Sequence, residues 1–355
     1  MIFRTRCFET LFHLGFRKVR KWHVSKSPPC YEVERGEVMK KTWYLIIGVV
    51  LLVIGGMAYG YHEHHKPKTA QELKTVRVAY LPITHALPVF ATKELETADG
   101  PVHVELVKYG SWPELMDALN TGKVDAASVL VELGVKAREQ GIDVRAAALG
   151  HTEGNIIIVN KDINSVQDLK GKSFAIPHKQ STQKILVDCM LEQAGLSEKD
   201  VQIVEMSPPE MPSALSVGQI AGYSVAEPFG SLALEMGTGK VFEDPDHLWH
   251  DNICCALVFN GQFVDEHHDL AKAFTKAYLD AGTYLDEHPK AQEEISSKYM
   301  KFNDQVIERS LKVIGFKDLA LTEDRYNALV HHMTHIDLIK KVPAYSEFVD
   351  QSLLP

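Results

Sequence analysis

The sequence has few cysteines, no phosphate loop and, over most of its length, no excess of basic residues. Five cysteines occur in 355 residues, too few and too scattered for a small fold held by disulfides. The pattern GxxxxGK[ST] is absent, so the chain has no phosphate-loop nucleotide site of its own. Residues 42–355 hold 28 Lys and Arg but 43 Asp and Glu, a net charge of −15. This acidity argues against a nucleic-acid partner, because phosphate binding needs a basic surface.

The N-terminal residues differ in character from the rest. Residues 1–41 hold ten Lys and Arg against four Asp and Glu. The uncharged stretch Trp43–Tyr61 follows, and as a helix it is long enough for a hydrocarbon core of about 30 Å. The positive-inside rule then places residues 1–41 in the cytoplasm and the body outside the cell membrane. We expect residues 42–61 to be a single-pass transmembrane anchor; a secretory signal cleaved after Gly60 is the alternative.

The beginning of the chain resembles an over-extended reading frame. Met39 and the two lysines after it precede an apolar run, which is typical of the start of a bacterial exported protein. We hypothesise that Met39 is the initiator and that residues 1–38 are not translated. Cys7 and Cys30 would then be absent from the native protein, and its intact mass tests this.

Residues 62–75 are predicted to be a linker between the apolar stretch and the body. They include His62, Glu63, His64 and His65, residue types that bind Zn²⁺. Neighbouring residues rarely converge on one ion without a surrounding fold, so we interpret this segment as solvated linker.

From Val76 onward, strand-like and helix-like segments alternate. Val76–Leu81 and Val102–Tyr109 have the apolar patterns of strands. Ser111 and Pro113 then open a helix, as N-cap and first-turn residue. Such alternation is typical of a largely parallel sheet flanked by helices.

A second series of the same kind begins at Asn155–Asn160, and another apolar strand occurs at Ile253–Phe259. We therefore predict an α/β fold of two sheet-and-helix lobes joined by two crossover strands. Lobe 1 would hold residues 76–155 and 253–355, and lobe 2 residues 156–252. Two such lobes enclose a cleft, and open α/β sheets bind ligands at the carboxyl ends of their strands.

Four segments of the body resemble solute-binding proteins of ABC importers, in the nitrate/sulfonate/taurine and thiamine-pyrimidine-precursor family. They are Val76–Leu81 with the Pro-Ile-Thr after it, Leu115–Asp125 (LMDALNTGKVD), Leu169–Pro177 (LKGKSFAIP) and Tyr223–Phe229 (YSVAEPF). The resemblance covers about residues 75–350. It implies a two-lobed periplasmic-binding-protein-like fold, here after an N-terminal transmembrane helix. It also implies an ABC permease and ATPase subunits as partners, with no cofactor and no catalytic residue.

The resemblance and the strand-end rule together give the candidate ligand-binding residues. His85 and Thr84 follow the first strand, and Trp112 follows the second, where it could stack on a planar ligand or cover the core. Residues 178–182 open a helix whose free N–H groups attract anions. Glu227 could receive a cationic group or form a hydrogen bond at the hinge. The full set is Thr84, His85, Trp112, Ser128, His151, Lys179, Gln180, Ser181, Thr182, Tyr223 and Glu227.

Cys254 and Cys255 lie in a predicted buried strand, where successive side chains point to opposite faces. We expect both to be small buried apolar groups, the usual state of free cysteine. His247 and His250 precede them and could form a soft-metal site with a cysteine, but the spacing matches no standard zinc pattern. No metal site is therefore predicted.

The sequence thus favours an extracytoplasmic solute receptor and not an enzyme. The expected solute is a small oxoanion or sulfonate, or a heteroaromatic precursor, captured between the lobes and delivered to a permease. One alternative is an enzyme of thiamine-pyrimidine biosynthesis on the same fold, against which the predicted anchor argues. The other is a membrane-tethered sensor, although residues 1–41 contain nothing typical of a signalling domain.

Overall fold

The computed structural model describes residues 43–56 and 74–355. Residues 43–56 form a helix, α1. Within the described ranges, no helix is both long and apolar enough to cross a membrane, in contrast to the anchor predicted for Trp43–Tyr61. The basic segment 1–41 with its hypothetical start at Met39, and the linker as far as residue 73, lie outside the described residues.

Two five-stranded sheets organise residues 74–355. The first has the order β2-β1-β3-β11-β4, with β1 Thr75–Tyr80, β2 His103–Lys108, β3 Ala126–Leu130, β4 Val144–Leu149 and β11 Cys255–Asn260. The second has the order β10-β6-β9-β7-β8, with β6 Asn155–Asn160, β7 Ser173–Ile176, β8 Gln202–Glu205, β9 Gly222–Ala226 and β10 Gly239–Glu243. A short pair consists of β5 Thr152–Glu153 and β12 Ile314–Gly315.

Both sheets are mixed, although the alternation of segments suggested largely parallel ones. Strand β1 is parallel to β2 and β3, and β7 is parallel to β8 and β9. In contrast, β11 is antiparallel to β3 and β4, and β6 is antiparallel to β9 and β10. The antiparallel strands β6 and β11 are those by which the chain leaves the first sheet and returns to it.

Helices pack against both sheets. They are α2 Leu87–Glu94, α3 Trp112–Asn120, α4 Val131–Glu139, α5 Thr182–Gln193, α6 Met211–Ser216, α7 Phe229–Glu235, α8 Pro245–Leu248, α9 Gly261–Glu266, α10 His268–Glu287, α11 Pro289–Met300, α12 Asp304–Leu311, α13 Glu323–His335 and α14 Tyr345–Phe348. Local sequence explains their ends. Helix α3 begins after the N-cap Ser111 with Pro113 in its first turn, as predicted. It ends before Gly122, whose φ of +70° is a left-handed conformation that favours glycine.

The pairing of β11 places its first residue at the edge of the first sheet where β3 and β4 have their carboxyl ends. Every residue of β3 and β11 is buried, which fits their almost continuous apolar sequences. Because β11 runs antiparallel, Cys255 pairs with Leu130, the last residue of β3, and Ala256 pairs with Leu149, the last of β4. The beginning of β11 therefore lies beside the carboxyl ends of its neighbours.

Candidate functional site

The two sheets are linked at these edges by hydrogen bonds from Thr84 and Thr182. The backbone N–H and the hydroxyl of Thr84 both donate to the carbonyl oxygen of Glu227, at 3.0 and 2.9 Å. Thr182, the first residue of α5, lies 2.7 Å from the carbonyl oxygen of Ile253 and 2.5 Å from Oε1 of Glu132. These residues are almost fully buried, so the structure is a closed arrangement of the two sheets.

Two histidines and two cysteines converge at this junction. One ligand atom from each of His85, His151, Cys254 and Cys255 lies within 4.8 Å of the others. All four side chains are buried. The imidazoles of His85 and His151 lie against each other, with ring centroids 3.6 Å apart. We call these four residues the His/Cys cluster.

The two cysteines point to the same place, contrary to the prediction that they face opposite sides of a strand. Their sulfur atoms are 3.8 Å apart, and both are free thiols. The reason is that β11 begins only at Cys255, so the strict alternation of a strand does not extend to Cys254. The prediction that both are buried is confirmed.

A backbone carbonyl holds the ring of His85. Its Nε2 lies 2.9 Å from the carbonyl oxygen of Gly154. A carbonyl only accepts, so Nε2 carries a hydrogen, and in the neutral ring Nδ1 then presents its lone pair. That Nδ1 lies 3.5 Å from Sγ of Cys255. Gly154 has a φ of +82°, and a Cβ there would lie 3.0 Å from Nε2, so glycine suits this position.

His151 is the exceptional member of the cluster. It is 2% exposed, and neither of its ring nitrogens has a hydrogen-bond partner of ordinary geometry among the described residues. Burial, and then the neighbouring His85, lower the pKa of His151 to about 4. The polar groups nearest to its ring are the Cys254 thiol and the backbone of Glu153, and neither forms a hydrogen bond of ordinary geometry with it. Such a poorly satisfied imidazole in a closed interior is unusual, because buried polar groups normally have partners.

The two thiols are inequivalent. Burial opposes ionisation of Cys254, but a hydrogen bond from the Cys255 thiol and the nearby imidazoles outweigh it and lower the pKa of Cys254 well below the usual range. Burial, with the hydrogen bond to Cys254, raises the pKa of Cys255 well above it. The side-chain amide of Gln183 also lies 3.3 Å from Sγ of Cys254 and can donate to it. The pair therefore favours one thiolate, located at Cys254.

Glu132 is a buried carboxyl close to this junction. It is fully buried, and burial, followed by the charge of Cys254, raises its pKa well above the usual range. The Thr182 hydroxyl has one hydrogen but lies near two acceptors, Glu132 Oε1 and the Ile253 carbonyl. A protonated Glu132 that donates to Thr182, which in turn donates to Ile253, satisfies all three groups. The other oxygen of Glu132 has no partner in the described residues.

The structure brings some of the predicted ligand-binding residues to this junction. Thr84, His85, His151 and Thr182 all lie there, as the contacts above show. Ser181 is the N-cap of α5, since its hydroxyl accepts from the N–H of Lys184 at 3.1 Å. The ligand-binding roles of these five residues remain predictions.

The side chains of four other predicted residues are engaged elsewhere, although the backbone carbonyl of Glu227 lies at the junction, where it accepts from Thr84. The Lys179 side chain is 67% exposed and faces Glu205, and Gln180 is half-buried. Ser128 lies in the middle of β3. The Glu227 carboxylate accepts from the N–H and hydroxyl of Ser231 at the start of α7.

The two predicted aromatic residues are core residues by their burial. The hydroxyl of Tyr223 donates to the carbonyl oxygen of Phe229 at 2.9 Å. Trp112 is 3% exposed, and its Nε1 has no partner in the described residues. His247 and His250 have side chains 76% and 87% exposed, whereas Cys254 and Cys255 are fully buried, so these histidines are not part of the buried cluster.

Sequence reasoning missed four contributors: Cys254, Cys255, Gln183 and Glu132. Gln183 extends the junction because its amide also donates to Oδ1 of Asn155 at 2.7 Å, while its Oε1 has no partner in the described part of the chain. The available signal was position. Glu132 is the second residue after β3, Cys254 precedes the antiparallel β11, and Gln183 lies in the first turn of α5.

Sequence comparison identifies the family. The profile of the NMT1-like family matches residues 69–299, more than half of the chain. The chain belongs to the NMT1-like family. A similar solved structure is a ligand-binding component of an ABC-type import system from Staphylococcus aureus with zinc bound. It is 36% identical with a TM-score of 0.75, and the match covers 79% of this chain and 97% of that one.

Two further relatives of this NMT1-like chain are a taurine-binding protein and a nitrate import protein. The taurine-binding periplasmic protein of Escherichia coli (strain K12) is 29% identical over 212 residues, which cover 58% of this chain and 65% of the relative. The nitrate import ATP-binding protein NrtC of Synechocystis sp. is 25% identical over 239 residues, 61% of this chain. This chain spans only 36% of that relative's length. The predicted resemblance and the two-sheet periplasmic-binding-protein-like fold are confirmed.

Proposed function

We propose that this chain is the extracytoplasmic solute-binding component of an ABC importer, which encloses its ligand between the two sheets. The observation that carries the proposal is a set of buried polar atoms at the junction without partners in the described residues: both ring nitrogens of His151, Oε2 of Glu132 and Oε1 of Gln183. Leaving such atoms unpaired is costly. A ligand between the sheets would pair them, and it would contact both sheets at once.

Closure follows from the same contacts. A ligand favours the closed form only by interactions that the open form lacks. Gln183, which belongs to the second sheet's helix α5, contacts Cys254 at the edge of the first sheet, so contacts of this kind exist only when the sheets meet. We propose lobes of residues 76–155 with 253–355, and of residues 156–252, that move as units.

The partners are an ABC permease and its ATPase. The chain has no GxxxxGK[ST] motif, so ATP hydrolysis falls to another subunit or domain. Delivery to a permease requires the body to lie outside the cytoplasmic membrane, and the names of the relatives support that location. The taurine, nitrate and zinc in those names supply the first ligand classes to test.

A thermal-shift screen of the purified full-length protein tests this function. Nitrate, taurine, a thiamine-pyrimidine precursor and Zn²⁺ are each added at increasing concentration, since a ligand that binds only the native state raises the melting temperature with concentration. We expect one class to give a saturable shift. The variant Thr182→Val, which removes an interlobe hydroxyl, should reduce that shift, whereas Thr182→Ser should retain it. The absence of a shift with every class would overturn the proposal.

A further inference from the structure

We propose that the His/Cys cluster binds a soft transition-metal cation, of which Zn²⁺ is the type, and that this cation is the solute of the cleft. The second half rests on the proposed receptor function, whereas the first half depends only on the four side chains. Two imidazoles and two cysteine sulfurs are the ligand set that Zn²⁺ and Cu⁺ prefer in proteins.

The spacing of the ligand atoms fits one tetrahedral ion. With bonds of about 2.3 Å to sulfur and about 2.0 Å to nitrogen, a tetrahedron has a sulfur-to-sulfur edge of about 3.8 Å and a nitrogen-to-sulfur edge of about 3.5 Å. The sulfurs of Cys254 and Cys255 are 3.8 Å apart. Nδ1 of His85 and the Cys255 sulfur are 3.5 Å apart. Both of these edges match, and since the other pairs of ligand atoms lie within 4.8 Å of one another, a small contraction around one ion completes the tetrahedron.

The surrounding groups orient the ligands as in known metal sites. A metal-binding histidine commonly donates its other ring N–H to a carbonyl, as Nε2 of His85 does to Gly154. The amide of Gln183 can donate to the sulfur of Cys254, which stabilises a thiolate. His151 offers an unpaired nitrogen in a 2% exposed side chain. Coordination would give that nitrogen a well-aligned partner, which it lacks among the described residues.

The charges near the junction favour a cation over an oxoanion. The hydrogen-bond partners of the cluster are an amide and a carbonyl, and no Lys or Arg is among them in the described part of the chain. A cavity of about 560 Å³ includes Gly154 and Asn155, which contact His85 and Gln183. Its charged lining is mostly acidic: Glu153, Glu243, Asp244 and Asp246, with Lys312. Such a surface raises the local concentration of cations.

The position of the cluster indicates a transported ion and not a permanent structural one. Its four ligands come from the edge of the first sheet. Gln183 of α5, in the second lobe, contacts Cys254, and Thr182 of the same helix binds the carbonyl of Ile253 next to it. In the closed form all four are buried. The ion can therefore enter or leave only when α5 moves away, which is the motion that solute capture and release require.

The test uses the full-length protein, reduced and stripped of metal by a chelator. Calorimetric titration with Zn²⁺ should show one site per chain. Titration with Co²⁺ should produce the near-ultraviolet charge-transfer band of cobalt bound to thiolate. The double variant Cys254→Ser/Cys255→Ser should lose this band and weaken Zn²⁺ binding at least 100-fold, and His151→Gln should weaken it at least 10-fold. The control Cys189→Ser changes a free thiol on α5 outside the cluster and should match the wild type.

Each outcome separates the two proposals. Unchanged Zn²⁺ affinity in the double variant, with an unchanged melting temperature without metal, overturns the metal site. If Zn²⁺ does not bind while nitrate or taurine raises the melting temperature, the metal proposal fails and the receptor function stands. If the chelator cannot remove Zn²⁺ without unfolding the protein, the ion is structural and the solute half fails. The variant Gln183→Leu should weaken Zn²⁺ binding about 3- to 10-fold and keep the cobalt band, because it removes a contact of closure and no ligand.

Discussion

The buried carboxyl of Glu132 should make the stability of this protein fall as the pH rises, and Glu132→Gln should remove that dependence. Glu132 is fully buried, and burial raises its pKa well above the usual range. Glutamine keeps the shape, cannot ionise and can still donate to Thr182. The substitution therefore isolates the titration of one group.

The sign and the slope follow from proton linkage. The unfolded chain releases the Glu132 proton near its usual pKa of about 4.3, whereas the folded protein holds it to a higher pH. Between those two values the folded state binds one more proton, so the free energy of unfolding falls by about 1.4 kcal/mol per pH unit. The stabilisation is complete below the unfolded pKa and is lost as the pH rises towards the folded pKa. In Glu132→Gln this contribution is absent.

Urea unfolding of metal-free, reduced protein at pH 4.5, 5.5 and 6.5 measures the effect. For each of these pH steps, we expect the free energy of unfolding of the variant to increase relative to that of the wild type by up to about 1.4 kcal/mol. Glu139, at the other end of α4, provides the control. Hydrogen bonds from Lys136 and from the backbone N–H of Lys341 lower its pKa to about 2, so its stabilisation is already complete above pH 4.5.

The difference between Glu139→Gln and the wild type should therefore stay constant over the same range. A pH-independent difference for Glu132→Gln would refute the reasoning, because it would mean that the buried carboxyl ionises alike in the folded and unfolded states. If the free energy of unfolding of the wild type instead rose relative to that of the variant as the pH increased, the sign would be reversed. That result would indicate an undetected cation beside Glu132.

Three further substitutions test packing, capping and closure. Gly230→Ala should lower the free energy of unfolding in urea by about 1–3 kcal/mol, because the new Cβ would lie 2.2 Å from Cγ2 of Ile156. An unchanged free energy of unfolding would contradict this close contact. Asn260→Ala should lower the free energy of unfolding by about 1–3 kcal/mol, because the Asn260 side chain both caps α9 and donates to a carbonyl of α3. Asn260→Ser, whose short hydroxyl can still cap α9 but cannot reach the carbonyl of α3, should have a free energy of unfolding between those of the wild type and Asn260→Ala. Thr84→Val removes the hydrogen bond from the hydroxyl to Glu227 and should weaken ligand binding about 2- to 10-fold. Thr84→Ser keeps the hydroxyl and should bind as the wild type does. Equal affinities for Thr84→Val and the wild type would argue against closure through Thr84.

Local sequence rules predicted much of the architecture because short-range physics determines it. The N-cap at Ser111 with Pro113 in the first turn, and the helix that opens within residues 178–182, depend on residues a few positions apart. The direction of β11 could not be predicted in that way. It depends on the position that a strand returning from the second sheet takes, which is between β3 and β4. An apolar sequence alone does not indicate whether the strand pairs in the parallel or the antiparallel direction.

The His/Cys cluster was harder to predict because its members come from three distant segments and because one local rule fails there. Metal-site patterns in sequence depend on close pairs of ligands, but His85 and His151 follow different strands, and the cysteines come after the whole second lobe. The alternation rule then separated Cys254 from Cys255, since it treats both as strand residues. Side chains alternate in direction only within a strand. The residue that precedes a strand is not bound by this alternation, so its side chain can point to the same place as that of the strand's first residue. Chemistry-bearing residues at the first position of an antiparallel strand therefore belong with those at the ends of its parallel neighbours, and that single geometric step would have assembled this cluster.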